Sequence, residues 1–135
     1  MRPRLLAVQF GGAVGNLSAL GEAGPAVRDA LAQELDLAPA APWHVQRDRI
    51  GELAGWCAGV AGAFGKIGAD LSLMAMTEIG EIRLGAAGGS STMPQKQNPV
   101  GPQTMAALAR QSALGAGAVL QSATSEFERD GAAWL

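Results

Sequence analysis

Between Gly88 and Pro99 the chain gathers the side chains with the most chemistry to offer: Gly88 and Gly89, the hydroxyls of Ser90, Ser91 and Thr92, then Lys96 and Asn98. The glycines permit backbone conformations that other residues resist, and the lysine and asparagine supply charge-assisted and amide donors. They stand just before a helix whose N-terminus carries partial positive charge and free N–H groups. The types and their order point to an anion site, with a carboxylate as the natural guest. The same residues could also form a flexible connector with a solvated lysine.

The elements around this stretch read as mainly helical, with a short extended segment near the N-terminus. Leu6, Val8 and Phe10 precede a glycine-dense stretch up to about Gly24, where a short strand or tight loop is expected rather than a helix. Pro25 opens a short amphipathic helix on Val27, Leu31 and Leu35, and Leu37 to Trp43 is a connector. From Val45 to Leu84 no proline occurs and the apolar residues keep a helical rhythm, so one long helix is expected. Along it Gly51, Gly55, Gly59, Gly62, Gly65 and Gly68 recur at steps of three and four. Each weakens an isolated helix by up to about 1 kcal/mol relative to alanine. Closely packed neighbours must supply the stability, and a subunit interface is the favoured partner over an intramolecular contact. A mobile loop over Leu84 to Pro99 follows, then a second helix from Asn98-Pro99 to about Gln121, with Asn98 able to cap it. Its Gly115, Ala116, Gly117 and Ala118 again imply tight packing. Ser122 to Leu135 is expected to start another helix or turn.

The run from Gly89 to Pro99, GSSTMPQKQNP, resembles the GSSxMPxKxNP signature of the fumarase/aspartase superfamily at every fixed position. Gly12 to Asn16 and Gln46-Arg47-Asp48-Arg49 resemble the adenylosuccinate lyase and cycloisomerase branch, as does Glu128-Arg129-Asp130. Pro42-Trp43-His44 and Leu6 to Gly21 look more like the 3-carboxy-cis,cis-muconate cycloisomerases than the purine lyases. So does Gly131-Ala132-Ala133-Trp134, which stands where the lyases usually carry serine and histidine. The resemblance implies the long-helix bundle of the superfamily's central domain and an active site assembled from three subunits of a homotetramer. It also implies a di- or tricarboxylate substrate. Residues 1–135 would form part of that central domain, without the N-terminal and C-terminal family domains or the upstream segment that carries the family's histidine. The isolated chain is therefore expected to be catalytically silent.

The chemistry implied is proton transfer beside a carboxylate. In cycloisomerisation one carboxylate of the muconate attacks the conjugated double bond, an enolate-like dianion develops on its neighbour, and a proton completes the lactone. Negative charge gathers in the transition state, so preorganised donors are the most valuable contribution a protein can make. By resemblance Ser90 is the proton-transfer residue, with Ser91 able to share or take that role. Lys96 and Asn98 hold a substrate carboxylate, with Met93 of the same signature beside them. Arg47, with Gln46 next to it, is a candidate for a second carboxylate, or else an ion-pair partner of a helix neighbour. A serine hydroxyl is far too weak an acid to ionise unaided at neutral pH, so the role requires loop closure, desolvation and nearby positive charge. His44, the single histidine, reads as a surface residue of the connector rather than a general base.

Composition narrows the classes further. Hydrophobic residues make up 48% of the chain, enough for a core, and the net charge of -2 comes from ten basic and twelve acidic residues scattered along it. No basic stripe suggests nucleic acid. The longest uncharged apolar stretch, Leu53 to Gly65, falls short of the roughly 20 residues that cross a bilayer. The N-terminus lacks the pattern of a secretory signal, which implies a cytoplasmic setting. Cys57 reads as a small buried thiol. No metal or organic cofactor is indicated, since His/Cys clusters, P-loop and dinucleotide fingerprint are all lacking. Besides the cycloisomerase, an adenylosuccinate lyase-like β-elimination enzyme and a silent helical oligomerisation module remain open.

Overall fold

Pairing at the N-terminus comes from a connector far along the chain. The Val8 N–H donates to the Ala38 carbonyl and the Ala38 N–H to the Leu6 carbonyl, both at 2.9 Å, forming a single parallel bridge between Ala7 and Ala38. The computed structural model describes residues 2–127, 130 and 131. Among them it contains four α-helices: α1 (Arg2–Leu5), α2 (Gly24–Glu34), α3 (Asp48–Met74) and α4 (Val100–Gln121), with a 3₁₀ segment at Ser18–Ala23. The extended segment expected near the N-terminus is thus an isolated bridge. Arg2–Leu5 and Ser18–Ala23, expected as strand or loop, are helical turns, the second kinked at Gly21. Glu128, Arg129 and Ala132 to Trp134, which carried part of the resemblance, lie outside the described residues.

The chain divides into two compact units, Met1–Ala54 with Gly117–Leu135, and Gly55–Ala116. In the first, Ala7, Val8, Leu17 and Ala32 form the buried apolar core. Trp43 locks the connector over it, its indole N–H donating to the Val8 carbonyl at 3.0 Å and its backbone N–H to Gln9 Oε1 at 2.7 Å. The Arg49 guanidinium sits 5.0 Å above the Trp43 ring, an arrangement favoured by the ring quadrupole. Arg49 also donates to the Arg4 carbonyl at 2.8 Å, while Arg4 pairs with Asp48 and Glu52. These ion pairs are solvent-exposed, so each adds little stability. Half-buried His44 packs against Gly15, whose φ of +81° and lack of a side chain make room for the imidazole.

In the second unit α3 and α4 approach closely through small residues. A Cβ at Gly65 would strike the Ala109 side chain, and one at Gly68 would strike the Pro102 carbonyl and lie 2.9 Å from Met105 Cβ. Gly55, Gly59 and Gly62 have nothing within 4 Å. At 3.6 residues per turn, Gly65 and Gly68 lie about 60° and 120° round the helix from Gly62 in one direction, while Gly55 and Gly59 lie about 20° and 60° in the other. One edge of the glycine arc therefore faces α4 and the other is open. Gly115 and Gly117 of α4, expected in tight packing, are open too. Cys57 is exposed rather than buried, since it belongs to a stretch of α3 whose large apolar residues, Trp56 and Val60, are exposed as well.

The long helix ends at Met74 rather than Leu84. There the Met74 carbonyl accepts the Glu81 and Ile82 N–H groups at 3.0 and 3.3 Å from a reversing turn. Gly80, at φ +62°, donates to the Met76 carbonyl at 2.7 Å within it. Gly80 thus closes the short turn that begins at Met76, and glycine takes the left-handed conformation needed there without a Cβ clash.

Candidate functional site

The signature loop is closed at its base by main chain. Gly88 and Asn98 exchange both N–H···O bonds, at 2.9 and 2.8 Å, forming an antiparallel bridge immediately ahead of α4. The residues between form a surface loop pinned at both ends. At the bridge a Cβ on Gly88 would come within 2.5 Å of Val100 Cγ2, so this base is tight on the α4 side. The Asn98 side-chain amide donates to the Gly89 carbonyl at 3.4 Å. It reinforces the bridge and does not cap α4, as the sequence had suggested it could. Pro102 falls in the first turn of α4, where its missing N–H would have had no helical partner.

Inside the loop, Ser90 folds back on the chain. Its Oγ accepts the Met93 N–H at 3.2 Å and the Thr92 N–H at 3.4 Å. Two backbone donors converge on one hydroxyl oxygen, the arrangement that stabilises negative charge there. Ser91 is exposed, and no bond of this kind holds its hydroxyl.

Met93, Lys96 and Asn98 line one broad open concavity of about 1200 Å³ together with Gln95, Gln97 and Gln103. The turn after α3 lines it as well, contributing Glu78, Glu81 and Arg83. Ser90 and Ser91 are not part of the lining. Arg47 and Gln46 belong to the first unit, where Arg47 Nη1 donates to the Ser122 carbonyl at 3.1 Å and Gln46 is exposed. The sequence reading missed the wall made by residues 72–84, because Ile79 and Ile82 continue the helical rhythm past Met74. Gly80 beside Thr77 was the available stop signal. Among the described residues no group of three His, Cys, Asp or Glu is placed to hold a metal, and no helix is long and apolar enough to cross a membrane.

Residues 1–114 match a family model described as Lyase. The 3-carboxy-cis,cis-muconate cycloisomerase of Pseudomonas aeruginosa is 48% identical over 138 residues, a match covering 99% of this chain and 30% of that protein. Trans-aconitate decarboxylase 1 of Mycosarcoma maydis is 41% identical, covering 99% of this chain and 28% of the relative. Among solved structures, the 3-carboxy-cis,cis-muconate lactonizing enzyme from Pseudomonas putida superposes with a TM-score of 0.86 at 44% identity, over 98% of this chain and 31% of that one. The chain thus spans about a third or less of the length of these relatives. With the signature loop bridged at the head of α4 and the family model running from the N-terminus to within that helix, the chain belongs to the lyase family of the fumarase/aspartase superfamily.

Proposed function

We propose that this chain carries the carboxylate-gripping loop of a 3-carboxy-cis,cis-muconate cycloisomerase, within part of that enzyme's central helical domain. The observation that carries the reading is the shared concavity of Met93, Lys96 and Asn98 at the head of α4, combined with the 48% identity to a cycloisomerase. In this reading Lys96 and Asn98 bind one carboxylate of the tricarboxylate, Met93 supplies an apolar wall, and Ser90 transfers the proton. Ser91 is its neighbour and not its substitute, because only Ser90 Oγ receives the Met93 and Thr92 donors. Arg47 and Gln46 are assigned to a second carboxylate. A cavity of about 1200 Å³ exceeds the upper range of ligand pockets, about 1,000 Å³, so the loop must close to exclude water. The open glycines at 55, 59 and 62 and the exposed Trp56, Val60 and Phe64 support a further part of the proposal, a homo-oligomer built through α3 in a cytoplasmic enzyme.

The test is a chimera in which this chain replaces the matching segment of the Pseudomonas aeruginosa enzyme. Lactonisation of carboxymuconate is expected within about tenfold of the parent, a change of about 1.4 kcal/mol in the barrier. Adenylosuccinate should not be cleaved. A folded, oligomeric chimera without lactonase activity would refute the assignment, and purine-nucleotide cleavage would redirect it. The isolated 135-residue chain is expected to show no turnover in the same assay, and steady-state lactone formation by it would contradict the need for residues from outside this segment.

A further inference from the structure

We infer that Pro94 is a positioning residue of the signature loop: it presets a turn that ties the Ser90 hydroxyl to the backbone of Lys96. The inference rests on the roles proposed above for Ser90 and Lys96. Met93 is the shared member of the tie. Its N–H donates to Ser90 Oγ at 3.2 Å, and its carbonyl accepts the Lys96 N–H at 3.0 Å. A single residue therefore links the oxygen assigned to proton transfer with the backbone that carries the lysine.

The bond from Lys96 closes a turn over Met93 to Lys96, with Pro94 and Gln95 as its central residues. Gln95 does not take a positive φ, which fits a type I turn, and that turn favours proline at the first central position. The pyrrolidine ring fixes its own φ and disfavours helical backbone at the residue before it, here Met93. Pro94 thus removes freedom from the stretch of chain that the tie depends on. It is exposed, so what it contributes is this restraint and not packing. The bridge between Gly88 and Asn98 pins the base of the loop, and the turn orders its interior. Proton transfer beside a gripped carboxylate needs hydroxyl and lysine at an offset dictated by the substrate's own bonds, and a misplacement of about 1 Å can cost 10²-fold in rate. When the loop closes, the tie makes Ser90 and Lys96 move together.

Two measurements test this. In the 135-residue chain, Pro94→Ala is expected to speed amide hydrogen exchange at both Met93 and Lys96 by about two- to fivefold, the factor that a proline restraint contributes to an ordered conformation. Once Ser90→Ala has removed the acceptor, the same substitution should change Lys96 alone. In the chimeric cycloisomerase Pro94→Ala should lower kcat/KM by about two- to fivefold with circular dichroism and oligomeric state unchanged. Pro94→Gly, which frees the backbone further, should lower it more. In a Ser90→Ala background Pro94→Ala should still raise KM but leave kcat unchanged, because the hydroxyl it positions is gone. A merely structural proline would lower kcat by the same factor in both backgrounds, and that result overturns the inference. So does faster exchange at Lys96 without any change at Met93, since the turn would then be independent of Ser90. If the chimera has no lactonase activity, the cycloisomerase reading fails, and exchange in the isolated chain alone decides whether Pro94 sets the tie.

Discussion

Ser90→Ala in the chimeric cycloisomerase is expected to lower kcat for lactonisation by about 10²- to 10⁴-fold, the range for loss of a positioned proton-transfer group. KM should stay within about twofold, because the carboxylate grip is left in place and only an interaction of the transition state is removed. The effect is assigned to Ser90 and not to Ser91 because of what surrounds each oxygen. The Met93 and Thr92 N–H groups converge on Ser90 Oγ at 3.2 and 3.4 Å, and these long bonds can shorten if charge develops on that oxygen. Ser91 is exposed and has no such donors. Ser91→Ala should therefore reduce kcat by less than about tenfold, a barrier change under about 1.4 kcal/mol. Both variants keep the loop backbone and its bridge at Gly88 and Asn98, so circular dichroism and oligomeric state should match the parent. A Ser91→Ala defect larger than that of Ser90→Ala would reverse the assignment, and two weak defects would remove the loop hydroxyls from the proton path.

The signature loop was legible in the sequence because its information is local. Fixed residue types over Gly89 to Pro99 specify a loop, and Asn98-Pro99 marks the helix start to within a residue or two. α2 was legible for the same reason, with Pro25 in its first turn and apolar residues at helical spacing. The part of the concavity lined by the turn after α3 was not. Ile79 and Ile82 fit the helical period, and nothing local outweighs them except Gly80, whose left-handed conformation is a consequence of the turn that caps the Met74 carbonyl. That turn is a tertiary decision, and with it went Glu78, Glu81 and Arg83. Asn98 illustrates a subtler failure. Its type suits a helix cap, but the bridge to Gly88 draws its amide to the Gly89 carbonyl instead, a competition between two local hydrogen-bonding options that spacing alone cannot decide. The glycine stripe on α3 was legible as a demand for close neighbours, yet only the helical wheel, combined with the position of α4, separates the residues that meet α4 from those left open.

That separation predicts opposite signs for one kind of substitution within one helix. Gly68→Ala in the 135-residue chain is expected to destabilise the α3 and α4 pair by about 1–3 kcal/mol, the cost of overpacking a close contact. The new Cβ meets the Pro102 backbone carbonyl and lies 2.9 Å from Met105 Cβ, and a carbonyl in a helix cannot rotate away as a long side chain could. Gly68→Val, with two more carbons, should largely separate the helices. Gly59→Ala, by contrast, puts its methyl where nothing lies within 4 Å. It should raise stability by about 0.5–1 kcal/mol through helix propensity and reduced freedom of the unfolded chain. Urea unfolding followed by far-ultraviolet circular dichroism measures both. If Gly59→Ala destabilises the isolated chain as much as Gly68→Ala does, the Gly59 edge of α3 is not open and the two edges are not distinguished. The same pair of variants also tests the proposed oligomer. In the chimera, where α3 would pack against a second copy, the methyl at position 59 should lose its benefit and weaken assembly, and analytical ultracentrifugation would detect this as a shift to smaller species. A Gly59→Ala chimera that assembles as tightly as its parent would exclude that edge of α3 from the subunit contact.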